Sequence, residues 1–508
     1  MLSLVAVLLL AVRILQKPMS APGSGIVELF VWIFLVSAGL GVWAAYDPQN
    51  ALEKFIWIAS AILLYYATAF QSQRNRGFVL ASLSVLAGCI VGAFLLGYDW
   101  IATPVDIRVV NILGCLWMKI RPQTPIQPTS DDWVGGVMAV ILPLQVALLE
   151  LGKEQKKRGF LYLGVFGIIM AGLGVFFSGS RPAWLVLFVA LVLQFGWRGG
   201  HHLNRPPRSV GFYLGGLLLL ALLVGLGGWF SDELLFRFGW ARQIHFASVS
   251  SRLEVYQNSL QLAKDYALWG GGLGSFPGLY SRYILGIPYL FAAYSHNFYL
   301  DVAVELGILG LGACLMVFLG SMAVLVQRLL HFELSSADRR FQWAVLVSMV
   351  VLLLHGWMED AFFASWGVVG LFFLPGLSSS VCAGAQPSAE SSPAAATGMP
   401  RTNKFWFAGS VVVVLFVVGY FLRNPLLSKI YANLGAVRMA KVELKGWPDQ
   451  SVSDYEPLSG LENAVADLHR AIRYDPQNSG AHYRLGLVAV RSFDFTSAGE
   501  EFELAYAN

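Results

Sequence analysis

Runs of about 20 apolar residues recur along this chain, and no other feature limits its fold so strongly. A helix crosses the hydrocarbon core in about 20 apolar residues, because lipid offers no partner to an unpaired backbone group. Runs near that length stand at 26–46, 51–70, 78–97, 134–151, 158–177, 182–197, 210–230, 298–326, 341–356, 360–378 and 405–422. The opening MLSLVAVLLLAVRILQ is a shorter run with no clean small-residue cleavage site after it, and counts as a short first span. The expected fold class is therefore all-α, a polytopic membrane protein with about twelve transmembrane helices. Composition agrees: 56% of residues are hydrophobic, 13% are charged and the mean hydropathy is +0.61. A soluble domain carries about 25% charged residues. An ordinary soluble enzyme, a disordered chain and a small disulfide scaffold are excluded together. Cys89, Cys115, Cys314 and Cys382 show no paired spacing, so neither a disulfide framework nor a zinc site is expected.

Loop charge orients the spans, because Lys and Arg are retained on the cytoplasmic side. QSQRNRG (71–77), GKEQKKRG (152–159), WRGGHHLNRPPRS (197–209) and QRLLHFELSSADRR (327–340) are basic, while intervening short connections such as DPQN (47–50) are not. The alternation places the long connections 98–133 and 231–297 outside, with everything after 422, and the Pro/Ala/Ser linker 384–404 inside. His201 and His202 then read as topology signals. The net charge of +4 lies in these short clusters, which suits membrane orientation and not nucleic-acid binding.

After about 440 the apolar runs stop. Ala464, Leu468 and Ala471 recur as Ala498, Phe502 and Ala505 with a period of 34, and Leu485-Gly486 and DPQN (475–478) sit where a tetratricopeptide repeat has its helix pair and turn. The expected organisation is a membrane domain over 1–430, including the external loop 231–297, followed by a tetratricopeptide-like tail over 440–508 that serves as a protein-partner surface or as a plain helical cap.

Charged groups near membrane depth are costly and mark function. Arg181, in FFSGSRPAW, stands at an outer mouth between two spans, as an anion ligand or as a snorkelling arginine. Arg252 opens an amphipathic helix in SSRLEVYQNSLQLAKDYALWGGGLGSF (250–276), behind a Ser250 or Ser251 cap and ahead of a Gly-rich turn. Helix N-termini and arginine forks favour phosphates, whereas the turn alone reads equally as a flexible surface loop. His296 precedes the next apolar run, in a catalytic or a structural role. Asp301 and Glu305, four residues apart, share one helix face and need partners, which Arg181 or Arg252 would supply. His355, Glu359 and Asp360, in HGWMED, are candidates for the same cavity.

SGSR at a span boundary, the Arg-helix-Gly turn of 252–276 and HNFYLD…ELGILGLG resemble the O-antigen ligase and O-antigen polymerase superfamily of membrane glycosyltransferases over most of 130–380. Ala267 departs from the pattern, which often has Pro there. The resemblance implies a GT-C-type enzyme on the outer face of a bacterial cytoplasmic membrane. It would transfer a glycan from polyprenyl (undecaprenyl) diphosphate to a hydroxyl of a glycan, lipid or protein. By position it implies Arg181 and Arg252 as diphosphate ligands and His296 as the residue acting on the acceptor hydroxyl; Asn297, Asp301 and Glu305, beside His296 in the sequence, are the further substrate-binding candidates. Two arginines can stabilise a departing diphosphate, and an imidazole of ordinary pKa near 6.5 can accept a proton at neutral pH. No Asp-x-Asp pair recurs in the outer loops, so no metal or other cofactor is expected, and direct displacement predicts inversion. A twelve-span secondary transporter of a lipid or small solute would instead show related halves and ionisable groups at mid-span beside broken helices. A membrane scaffold acting through its tail leaves the Arg–Arg–His set unexplained.

Overall fold

The computed structural model describes residues 25–105, 107–126, 129–200, 247–287, 289–332, 334–364, 366–382, 423–448 and 460–507. The expected short first span, the runs 210–230 and 405–422, most of the 197–209 loop and the 384–404 linker lie outside the described residues. No strand occurs among the described residues.

Helix α1 (Gly25–Ala44) leads to α2 (Pro48–Gly97) through Asp47, whose side chain accepts from Gln49 N and Asn50 N ahead of a first-turn proline. At 50 residues α2 would run about 75 Å if straight, far more than one crossing. Asn75 interrupts it with φ −156° and ψ 86°, and its Oδ1 accepts from Phe78 N at 3.1 Å, so it caps a second helix. The runs 51–70 and 78–97 thus become two limbs joined at Asn75. After α3 (Arg108–Ile120), unanticipated in the sequence, come α4 (Asp131–Glu154), α5 (Arg158–Ser178) and α6 (Arg181–Gly200). Beyond them lie α7 (Ala247–Asp265), α8 (Phe276–Tyr280) with a π turn (Ser281–Leu285), α9 (Phe298–His331) and α10 (Ser336–Gly356).

Five helices among the described residues are long and apolar enough to cross a membrane: α1, α2, α4, α5 and α9. Helix α4 is the centre of the bundle, with 78% of its apolar window buried against 28% for α5 and 33% for α1. The outer helices present Ile26, Leu29, Trp32 and Val36 on α1 and Tyr162, Val165, Phe166 and Ile169 on α5. In water such faces would aggregate; in lipid tails they cost nothing. The run 360–378 is not one span. It holds a loop, a 3₁₀ turn (Trp366–Gly370) and α11 (Phe373–Cys382), whose ten residues reach only about 15 Å. Its apolar residues serve close packing inside the bundle, where Gly376 lies against the Tyr65 carbonyl of α2.

At one end of the bundle Arg76 pairs with Asp338, and Arg340 with Glu154 at 3.2 Å, so the basic loops 71–77, 152–159 and 327–340 meet there. The opposite end carries the connections that hold Arg252 and His296. Helices α12 (Arg423–Glu443), α13 (Glu462–Tyr474), α14 (Ser479–Arg491) and α15 (Phe495–Ala507) rest on that end. Arg484, 1% exposed, bonds Asp265 Oδ2 at 3.2 Å and lies 4.9 and 4.3 Å from the Tyr266 and Tyr283 ring centroids. Asn433 Oδ1 accepts from Leu268 N and Trp269 N at 3.2 and 3.3 Å.

Candidate active site

Helix α7 begins upstream of the serines expected to cap it, so Arg252 sits in its second turn instead of at its start. Its far end runs into WGGGLG, which inserts into a break in α9. Gly307 has φ 65° and ψ −166°, interrupting that helix within its apolar run. The stranded backbone groups are satisfied by exchange: Gly271 N and Gly272 N donate to the Val304 and Glu305 carbonyls at 2.8 and 3.2 Å, while Ile308 N donates to the Ala267 carbonyl at 2.8 Å. Irregular backbone inside a bilayer needs just such compensation. Gly270, with φ 83°, approaches so closely that a Cβ would stand 2.2 Å from the Glu305 carbonyl oxygen. The Gly-rich turn is therefore a fixed joint between α7 and α9, and neither a flexible loop nor a phosphate cradle.

The joint sets Arg252 beside the start of α9. Asn297 caps α9, its Oδ1 accepting from Tyr299 N and Leu300 N. His296, just before it, adopts φ 58°, a left-handed conformation that costs a non-glycine residue of order 1 kcal/mol. Tyr256 of α7 donates to the His296 carbonyl at 3.0 Å, and Asn297 Nδ2 to the Trp357 carbonyl at 3.0 Å, which hold that conformation. The imidazole Nδ1 lies 2.8 Å from Glu359 Oε1, and Arg252 Nη2 lies 3.2 Å from Glu359 Oε2. Glu359 is 1% exposed, whereas the His296 and Arg252 side chains remain 35% and 34% exposed. A carboxylate only accepts, so Nδ1 carries a proton and Nε2 is the nitrogen left for an acceptor hydroxyl.

Asp132, unremarked in the sequence, links this pair to the Arg181 turn. Its Oδ1 accepts from Ser180 Oγ at 2.5 Å and its Oδ2 lies 4.0 Å from Arg252 Nη2. Gly135 makes the approach to the Ser180 turn possible, since a Cβ there would meet Ser178 Oγ at 2.6 Å, and Gly136 leaves the room that His355 fills, a Cβ there standing 2.5 Å from His355 Cε1. Arg181 is exposed and opens α6 one residue beyond Ser180. Burial raises the Glu359 carboxyl above its usual range, while His296 and Arg252 oppose the shift. Burial pushes the Tyr256 phenol up to about 12, so it stays a donor.

The structure thus brings Arg252, His296 and Glu359 into contact, with Asn297 beside them and Arg181 next to Ser180. It does not give Asp301 and Glu305 the arginine partners expected. Glu305 binds Lys54 Nζ at 2.6 Å and Gly274 N at 2.9 Å, and Asp301 accepts from Ser295 N at 2.8 Å. Of HGWMED, Glu359 is hydrogen-bonded to His296, while His355 is fully buried against Gly136. A signal for Asp132 was present in TSDDW, acids at the mouth of a span, but its partners lie far away in sequence.

No curated protein matches the chain. A family model described as O-antigen ligase matches residues 166–315, which include Arg181, Arg252, the Gly-rich joint and His296 but neither Asp132 nor Glu359. Across that segment, then, the chain is similar to the O-antigen ligases, membrane enzymes of glycosyl transfer that use a lipid-linked glycan.

Proposed function

We propose that the chain transfers a glycan from polyprenyl (undecaprenyl) diphosphate to a hydroxyl acceptor, with His296 as general base and Arg252 and Arg181 as ligands of the diphosphate. The observation that carries this is the shared carboxylate: Glu359 holds the base through Nδ1 and a guanidinium through its other oxygen. The acceptor oxygen attacks the anomeric carbon as His296 Nε2 takes its proton. The carbon–oxygen bond to the diphosphate breaks, its electron pair leaves with polyprenyl diphosphate, and the anomeric configuration inverts. Glu359 stabilises the imidazolium formed, and the arginines stabilise the anion released, with no metal in the scheme.

The reaction runs on the outer face of a bacterial cytoplasmic membrane, the basic loops lying inside. Residues 440–508 form a tetratricopeptide-like unit offering a face to a protein partner, beside the membrane domain 1–430. The break in α9 is a feature a transporter would use, but here its backbone groups are taken by the Gly-rich joint. Protein in nanodiscs, given a polyprenyl-diphosphate glycan and a hydroxyl acceptor, should release polyprenyl diphosphate in step with transfer. Movement of the lipid-linked glycan across the bilayer without cleavage would establish the transporter instead.

A further inference from the structure

Two buried carboxyl groups beside the site have no part in the chemistry above. Asp301 and Asp360 are 1% and 5% exposed. Each commits one oxygen to a backbone donor: Asp301 Oδ1 accepts from Ser295 N at 2.8 Å, and Asp360 Oδ1 from Phe363 N at 2.8 Å. The second oxygen of each, Oδ2, is buried and makes no hydrogen bond among the described residues. The two carboxyls are within hydrogen-bond reach of one another. Ionised carboxylates only accept, so two bare oxygens in contact, away from water, repel and leave both unsatisfied. One proton between them satisfies both.

We propose that Asp301 and Asp360 share a single proton, and that this carboxyl–carboxylate bond is the clamp that positions His296 against Glu359. Its placement supports the role. Asp301 holds Ser295, next to His296, and Asp360 follows Glu359 directly, so the clamp ties together the two segments bearing the base and its partner. The groups facing it are Lys54 from α2, Glu305 and Cys314 from α9, Tyr256 from α7, Tyr294 and Glu359. Lys54, the nearby cation, is already paired with Glu305. The surroundings therefore resist a second negative charge, and burial holds Asp360 above the usual carboxylate range. In this scheme Asp301 and Asp360 act as positioning residues, through Ser295 and through Glu359.

Asparagine separates the shared proton from the shape of the pair. In Asp301→Asn the amide oxygen still accepts from Ser295 N while Nδ2 donates to ionised Asp360, and the mirror argument holds for Asp360→Asn. In the double variant one amide must turn, stranding the Ser295 or Phe363 N–H. The test measures glycan transfer against pH in nanodiscs and rests on the function proposed above. Each single Asn variant should stay within about threefold of wild type at pH 7 and lose the alkaline limb that wild type shows when the shared proton dissociates. The double variant and Asp301→Ala should lose tenfold or more at every pH. A wild-type-minus-Asp301→Asn infrared spectrum should contain the carbonyl band of one protonated carboxyl, a readout that needs no turnover. A missing band overturns the shared proton. Asp301→Asn as slow as Asp301→Ala, or keeping the wild-type alkaline limb, overturns the clamp. If wild type transfers no glycan, the proposed function fails while the infrared comparison still decides the shared proton.

Discussion

At the scale of single residues, His296 is defined by what surrounds it. Tyr256 fixes its carbonyl, Glu359 its Nδ1, and Nε2 alone remains for chemistry. His296→Ala should lower turnover by roughly 10²–10⁴-fold with donor affinity and melting temperature near wild type, since among the described residues the side chain's hydrogen-bond partner is the Glu359 carboxylate. Near wild-type transfer rates would remove the base. Arg252→Ala should weaken donor use by about 10- to 100-fold, as loss of a charge-assisted bond costs about 1.5–3 kcal/mol, and Arg252→Lys should restore only part. Glu359 gives the pH dependence. Burial raises its carboxyl, so the ionised form that holds Nδ1–H is lost at a higher pH than for a free glutamate. The rate should therefore fall with decreasing pH along a limb set by the Glu359 carboxyl. Glu359→Gln removes the titrating carboxyl, so the acid limb set by Glu359 should disappear and turnover should drop roughly 10²-fold or more. An unmoved limb would show that Glu359 does not tune the base.

At the scale of elements, the α7–α9 joint decides whether Arg252 and His296 face one another. Gly270→Ala puts a Cβ 2.2 Å from the Glu305 carbonyl oxygen at a φ of 83°, and the obstacle is backbone, which cannot step aside. The variant should lose roughly 2–4 kcal/mol of stability and both kcat and KM should worsen. Gly92→Ala, with nothing within 4 Å of the added carbon, is the control. Equal melting temperatures for the two variants in detergent would refute the joint. The elements also show what sequence could convey. The runs 51–70 and 78–97 were legible because lipid demands length, and Arg181, Arg252 and His296 because charge at a span mouth stands out. The function of GGGLG was not legible: a Gly-rich run after a helix reads as a turn until a second glycine, Gly307, is seen to break the helix it enters. Asp132 was hidden for a similar reason, its partner Ser180 lying 48 positions away, while Glu359 was legible as a cavity candidate but not as the partner of His296, 63 positions away, because no periodicity specifies which elements are adjacent. The run 360–378 misled because apolarity alone does not distinguish a core-filling loop from a span.

At the scale of the whole molecule, charge and chemistry are separated along the bundle. Arg76, Glu154, Asp338 and Arg340 meet at one end, and Arg252, His296, Glu359 and the tail helices gather at the other. The separation follows from the chain's alternation, since α4, α6 and α9 begin at the site end while α5 and α10 begin at the basic end. The orientation proposed above rests on the retention of basic loops in the cytoplasm. The assignment makes chemical sense for the proposed reaction, with a lipid-borne donor meeting an acceptor outside the cell. It is checked with single cysteines at exposed positions in a background lacking the four native ones. A membrane-impermeant maleimide applied to intact cells should modify Lys264→Cys on α7 and Glu500→Cys on α15 but not Arg74→Cys or Lys156→Cys, which should react only after permeabilisation. Because Arg484 ties α14 to Asp265 at the end of α7, the first two must report the same face. Outside labelling of Arg74→Cys or Lys156→Cys in place of the other two would invert the molecule and put the proposed transfer on the wrong side for a secreted glycan.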